Sequence, residues 1–102
     1  MNCAYCKKEF EDYELDLSHD IPKYLGGTDK DGRHYLCKEH HILYEMKILN
    51  ACLKYVGEEP TSENEMIVWM KEFKVADNYL KARLREVAQK VKEEFYGLGN
   101  LY

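Results

Sequence analysis

Two short patterns, Cys3-Ala4-Tyr5-Cys6 and Cys37-Lys38-Glu39-His40, space sulfur and nitrogen donors as structural zinc sites do. Two intervening residues let a tight knuckle, or the first turn of a helix, present both donors to one point. Thiolate and imidazole are borderline-soft ligands, and a closed shell of four leaves no reactive position on the ion. Structural Zn²⁺ held by Cys3, Cys6, Cys37 and His40 is therefore expected. Cys52 falls inside a helical apolar pattern and is expected as a free, buried thiol.

Three histidines remain: His19, His34 and His41. His41 directly follows His40, and neighbours on a helix point about 100° apart, so the two rings can serve different sites. Glu45 lies one turn after His41 on the same face. Together His41 and Glu45 form a plausible half-shell for a divalent cation.

These side chains need a frame. A chain of 102 residues is expected to form one domain with a single modest core. No stretch is long and apolar enough to cross a bilayer, so no membrane association is expected. The start, MNCAYCKKEF, has no apolar run and does not read as a secretory signal. A cytoplasmic chain is thus expected, where metal ligation is favoured over disulfides. The net charge of −4 argues against a general DNA-coating role but permits a nuclease with local basic patches. Residues 1–45 carry 6 Lys and Arg against 10 Asp and Glu, so the acidic half is the half with the metal-like residues.

The chain divides by periodicity. Tyr13, Leu15 and Leu17 alternate with polar residues as in a half-buried strand, GGTDKDG is a turn, and Arg33 to Leu36 forms a second strand. From about Lys38 the period becomes helical, with Leu43, Met46, Leu49 or Asn50, Leu53 and Val56 on one face and Gly57 as the stop. Ser62 and Glu65 suggest a capping box opening a second helix through Ile67, Met70 and Phe73. A third helix is expected from Asp77, with Leu80, Leu84, Val87 or Ala88, Val91 and Phe95 as its apolar stripe. The tail YGLGNLY either frays or packs through its aromatics. The expected class is α+β: a zinc-stapled hairpin–helix unit over residues 1–56, then a helical extension over 57–102.

In order along the chain come CxxC, His19-Asp20-Ile21-Pro22, Gly26-Gly27, and Leu36-Cys37-x-x-His40-His41. Over about residues 3–45 this resembles an HNH endonuclease, the zinc-supported form of the ββα-metal nuclease fold. The resemblance implies a nuclease that hydrolyses DNA phosphodiesters, with His19 as the general base and His41 as a ligand of a catalytic Mg²⁺ or Mn²⁺. Glu45 matches the position of a second ligand, and His40 stands where the family usually has a fourth cysteine. Two positions depart from the family pattern. Ser18 replaces a ligating residue before the base, for which Asp16 or Asp20 is a substitute. The family's middle asparagine would fall near Gly32, and His34 is its candidate replacement.

Lys81, Arg85 and Lys92 recur at helical spacing and read either as a solvated outer face or as a phosphate-contacting ridge. With Lys23 and Arg33, Lys81 and Arg85 are the candidate nucleic-acid contacts. Duplex or nicked DNA is the expected partner, and the C-terminal helices offer a route to a homodimer. The alternative function is a catalytically silent zinc-binding module of the same fold, binding nucleic acid or protein.

Overall fold

The structure, a computed structural model, describes residues 1–97. The expectation for the tail falls outside the described residues from position 98 onward. The class is α+β: strands β1 (Leu15–His19) and β2 (Arg33–Cys37) form a two-stranded antiparallel sheet. Helices α1 (Lys38–Tyr55), α2 (Met66–Lys74) and α3 (Asn78–Tyr96) follow.

Pairing runs from Leu15 opposite Cys37 to His19 opposite Arg33. Side chains alternate across a strand, so Asp16 and Ser18 share a face with His34 and Leu36. That face is the covered one at its centre, with Leu36 and Ser18 buried. The expected inward row of Tyr13, Leu15 and Leu17 is corrected: Leu15 is buried, but Leu17 is 37% and Tyr13 80% exposed. Tyr13 lies in a 3-10 turn (Asp12–Glu14) before the strand begins, so strand periodicity does not apply to it. Asp16 can sit on the covered side because both its carboxylate oxygens have cationic or imidazole partners.

Helix α1 begins directly after Cys37, and Gly57 (φ 82°) follows its last turn in a left-handed conformation that glycine adopts without strain. Its buried face is Tyr44, Ile48, Leu49, Cys52 and Leu53, rotated from the expected one, and Leu43 and Val56 are exposed. Tyr44 sets this phase. Its ring packs against Phe95 and Tyr96 of α3, and its hydroxyl donates to the Asp20 carbonyl at 2.6 Å. The Ser62 capping box is also corrected. Glu63–Glu65 form a 3-10 turn and Ser62 makes no side-chain cap, so α2 starts at Met66. Met66 and Phe73 are buried, whereas Ile67 is turned outward.

Helix α3 starts as expected, with the Asp77 carboxylate accepting from the Leu80 amide at 2.8 Å. Leu84, Ala88 and Phe95 are buried, and the helix runs along α1. The expected outer basic face is corrected for two residues. Arg85 donates to the Gly26 carbonyl (2.8 Å) and to the Asp31 carboxylate (3.1 Å). Lys92 donates to the Asp31 carbonyl (3.0 Å), and its ammonium lies 3.3 Å from Asp20 Oδ2. Lys92 sits one turn after Ala88, so it flanks the buried stripe rather than opposing it.

The chain between the strands is shaped to receive these groups. At Gly27 a side chain would collide with the Ile21 carbonyl, which lies against it. Gly32 (φ 107°) lies over the Asp20 carboxylate, and any side chain there would run into it. Asp20 itself is fully buried, with His34 on one oxygen (2.7 Å) and Lys92 near the other. The Lys92 contact neutralises Oδ2 by charge rather than by an aligned hydrogen bond. Removing one partner of a buried ion pair strands the other charge. Lys92→Ala is expected to destabilise the fold by about 3 kcal/mol, against less than about 0.5 kcal/mol for Lys90→Ala on the exposed face. Urea unfolding checks this, and equal midpoints for the two variants would refute it.

Candidate metal centre and the neighbouring histidine cavity

The N-terminal knuckle is built by local hydrogen bonds. The Cys3 amide donates to the Lys8 carbonyl, the Lys7 amide to the Cys3 carbonyl, and the Asn2 side chain to the Lys7 carbonyl. Lys7 takes a left-handed conformation (φ 66°), which tightens the turn after Cys6. The Ala4 amide donates to the Tyr35 carbonyl at 2.9 Å and so ties the knuckle to β2. Cys37 ends β2 and caps α1, placing His40 in the first helical turn.

These elements bring Cys3, Cys6, Cys37 and His40 together, with their ligand atoms all within 4.8 Å of one another. His40 Nδ1 is 3.1 Å from Cys37 Sγ and 4.0 Å from Cys3 Sγ. Donors on a zinc tetrahedron with bonds of about 2.0–2.3 Å lie roughly 3.3–3.8 Å apart, so this group can hold a metal ion with small adjustments. Burial opposes ionisation of Cys3, but backbone amide hydrogen bonds from the Cys37, Cys6 and Tyr5 side outweigh it and lower its pKa to about 6. Burial raises the Cys37 thiol, and the facing Cys3 sulfur adds to the effect. All four cysteines are free, and Cys52 is buried apart from the cluster with its pKa pushed up to about 12 by desolvation. Tyr5, between the first two ligands, stacks on Phe95 at 4.1 Å, so the end of α3 covers the knuckle.

His41 turns away from this cluster. Its Nδ1 lies 3.0 Å from Asp16 Oδ2, and its Nε2 lies 3.3 Å from Glu45 Oε1. The Glu45 carboxylate raises the His41 pKa; burial opposes this, and Asp16 reinforces it. Lys38, 2.6 Å from Asp16 Oδ1, and then His41 hold the Asp16 carboxyl below its ordinary value. Asp16 and Glu45 therefore bind opposite edges of the ring rather than one common point. Such a carboxylate behind an imidazole fixes its tautomer and leaves Nε2 as the outward nitrogen.

His41, Glu45 and His19 line one cavity of about 260 Å³, with Lys23, Tyr24 and Met70 among its other walls. Burial raises the Tyr24 phenol, which stays protonated. His19 projects from the end of β1, and its Nε2 lies 2.8 Å from Asp29 Oδ1. Asp29 also meets Arg33 at 3.4 Å and was not singled out by sequence pattern. Its signal was present as Thr28 with Asp31 three residues on, a capping-box spacing that opens the 3-10 turn Asp29–Asp31.

The other expected site residues go elsewhere. Asp20 is not brought to His41, because it is enclosed by His34, Lys92 and Gly32. His34 does not reach the cavity, since its ring stacks on Tyr96 at 4.0 Å and its Nδ1 is engaged by Asp20. Arg85 is committed to the Gly26–Asp31 loop rather than to a phosphate-facing ridge. Lys23 and Arg33 are exposed and Lys81 is half-buried. Ser18 is buried against the core and does not line that cavity.

Metal analysis of protein refolded in Zn²⁺ is expected to find one tightly held ion per chain, lost in Cys37→Ser. Ligation requires thiolates, so binding releases the proton that burial keeps on Cys37, and apparent affinity must fall as pH falls. A pH-independent affinity, or full zinc content in Cys37→Ser, would contradict this assignment. Compared with protein-family models, curated proteins and solved structures, the chain finds no match, and its function is argued from this geometry.

Proposed function

We propose that this chain is a metal-dependent endonuclease of the HNH type that hydrolyses DNA phosphodiester bonds, with its ββα unit held by structural zinc. The observation that carries the reading is the shared cavity: His19, His41 and Glu45 line one space, while the adjacent His40 joins the cysteines. The order of CxxC, His19-x-x-Pro22, Gly26-Gly27 and Cys37-x-x-His40-His41 supports it.

In this reading His19 accepts a proton from the attacking water. His41 Nε2 and Glu45 Oε1 would hold the divalent cation, a nitrogen–oxygen donor pair that suits Mn²⁺ or Mg²⁺. When bound, that cation supplies positive charge to the phosphoryl and leaving oxygens. Asp16 holds the His41 ring in place through Nδ1. Lys23 at the cavity and Arg33, paired across the sheet with His19, supply local positive charge for the phosphate backbone on an otherwise acidic protein.

The zinc-loaded protein is expected to nick supercoiled plasmid in Mn²⁺ or Mg²⁺, and His19→Ala is expected to lower the rate by about 100-fold or more. Absence of nicking by the wild type, or equal nicking by the variant, counts against the proposal.

A second reading, a zinc module that binds without cutting, is favoured by two observations. Ser18 is buried, and both His41 nitrogens already face carboxylates. Calorimetric titration with Mn²⁺ separates the two readings. The nuclease reading expects one site beyond zinc, abolished in Glu45→Ala with His41→Ala, and the binding-module reading expects none.

A further inference from the structure

We propose that Asp29 is the positioning residue for His19, holding the imidazole so that Nδ1 is the nitrogen that takes the proton; this rests on the nuclease reading above. Asp29 Oδ1 lies 2.8 Å from His19 Nε2, and Arg33 Nη1 lies 3.4 Å from the other carboxylate oxygen. An ionised carboxylate only accepts, so the neutral ring carries its proton on Nε2 and keeps its lone pair on Nδ1. Among the described residues Nδ1 has no protein hydrogen-bond partner.

The support of Asp29 is stiffer than that of an ordinary surface acid. It opens the 3-10 turn Asp29–Asp31, in which the Lys30 amide donates to Thr28 Oγ1 (3.2 Å) and the Thr28 amide to Asp31 Oδ2 (2.9 Å). Asp31 is anchored in turn by Arg85 and Lys92 of α3, at 3.1 and 3.0 Å. A chain of contacts therefore runs from α3 through the turn to His19. The Asp29 side chain is 64% exposed, and so open a pair contributes little to folding. Orientation of the imidazole accounts for the built turn better than stability does.

In the reaction, one water proton moves to Nδ1 and the water oxygen forms a bond to phosphorus. The ester P–O bond breaks with its electron pair, and the leaving oxygen is protonated from solvent. As the ring becomes imidazolium, the Asp29 carboxylate faces its new charge, so the interaction strengthens along the reaction coordinate.

The test compares wild type, Asp29→Ala and Asp29→Asn as zinc-loaded proteins in Mn²⁺ with plasmid substrate. Asp29→Ala is expected to lose about 100-fold in kcat with KM and melting temperature unchanged. Asp29→Asn is expected to recover part of the loss, because its carbonyl still accepts from Nε2–H. Nitrogen-edited NMR supplies a readout independent of cutting. The neutral His19 ring should be protonated on Nε2, with an exchange-protected proton that vanishes in Asp29→Ala and returns in Asp29→Asn. Wild-type cutting by Asp29→Ala while His19→Ala is inactive overturns the role of Asp29 and spares the nuclease reading. A neutral wild-type ring protonated on Nδ1 overturns it as well. A wild type that shows the Nε2–H bond but never cuts overturns the nuclease reading and, with it, any catalytic use of Asp29.

Discussion

The arrangement of this molecule depends on one buried carboxylate. Asp20 is inaccessible to solvent, and three elements and a loop glycine are placed around it. His34 of β2 and Lys92 of α3 meet its two oxygens, the α1 hydroxyl of Tyr44 meets its carbonyl, and Gly32 leaves room above it. A buried charge is tolerated only when paired, so the position of α3 against the hairpin is not interchangeable with other dockings. The preceding residue, His19, ends β1 and faces the other way. Within β1, His19 shares a face with Leu17, and both line the cavity, while the chain bends at Asp20 into the core.

At the junction of β2 and α1 the structure separates two kinds of chemistry by a single residue step. His40 joins the cysteines of the knuckle, and His41 faces Asp16 and Glu45. The cluster of thiols and imidazole has soft donors and a closed geometry suited to a structural ion. The His41–Glu45 pair has an imidazole, a carboxylate and an open cavity in front of it, the features of a site with exchangeable positions. Much of the acidic surplus in the first half is engaged locally: Asp16, Asp20, Asp29, Asp31 and Glu45 each meet a specific cation or imidazole.

Much of the metal-like group was legible in the sequence because its signal is local. CxxC and CxxH bring donors together through the geometry of one turn, whatever the rest of the chain does. The start of α3 was legible for the same reason, since Asp77 caps by a contact three residues away. The phase of α1 was not. A helical period in a sequence with apolar residues on several faces does not say which face is covered, and Tyr44 outranked Leu43 because it could satisfy the Asp20 carbonyl. Arg85, Lys92, Asp20 and His34 were misjudged for a related reason. Their partners lie far away in sequence, up to 72 positions for Lys92 and Asp20, so nothing nearby marks them as structural. Asp29 carries no local signal of its contact with His19, because the two are ten positions apart.

The proposed function requires two metal sites of different character, one on either side of the first turn of α1. Anomalous diffraction from crystals of the zinc-loaded protein soaked in Mn²⁺, recorded at both absorption edges, tests it most directly. A zinc peak is expected among Cys3, Cys6, Cys37 and His40, and a separate manganese peak at His41 Nε2 and Glu45 facing His19. Zinc alone, with no manganese at His41 under saturating soak, would contradict it.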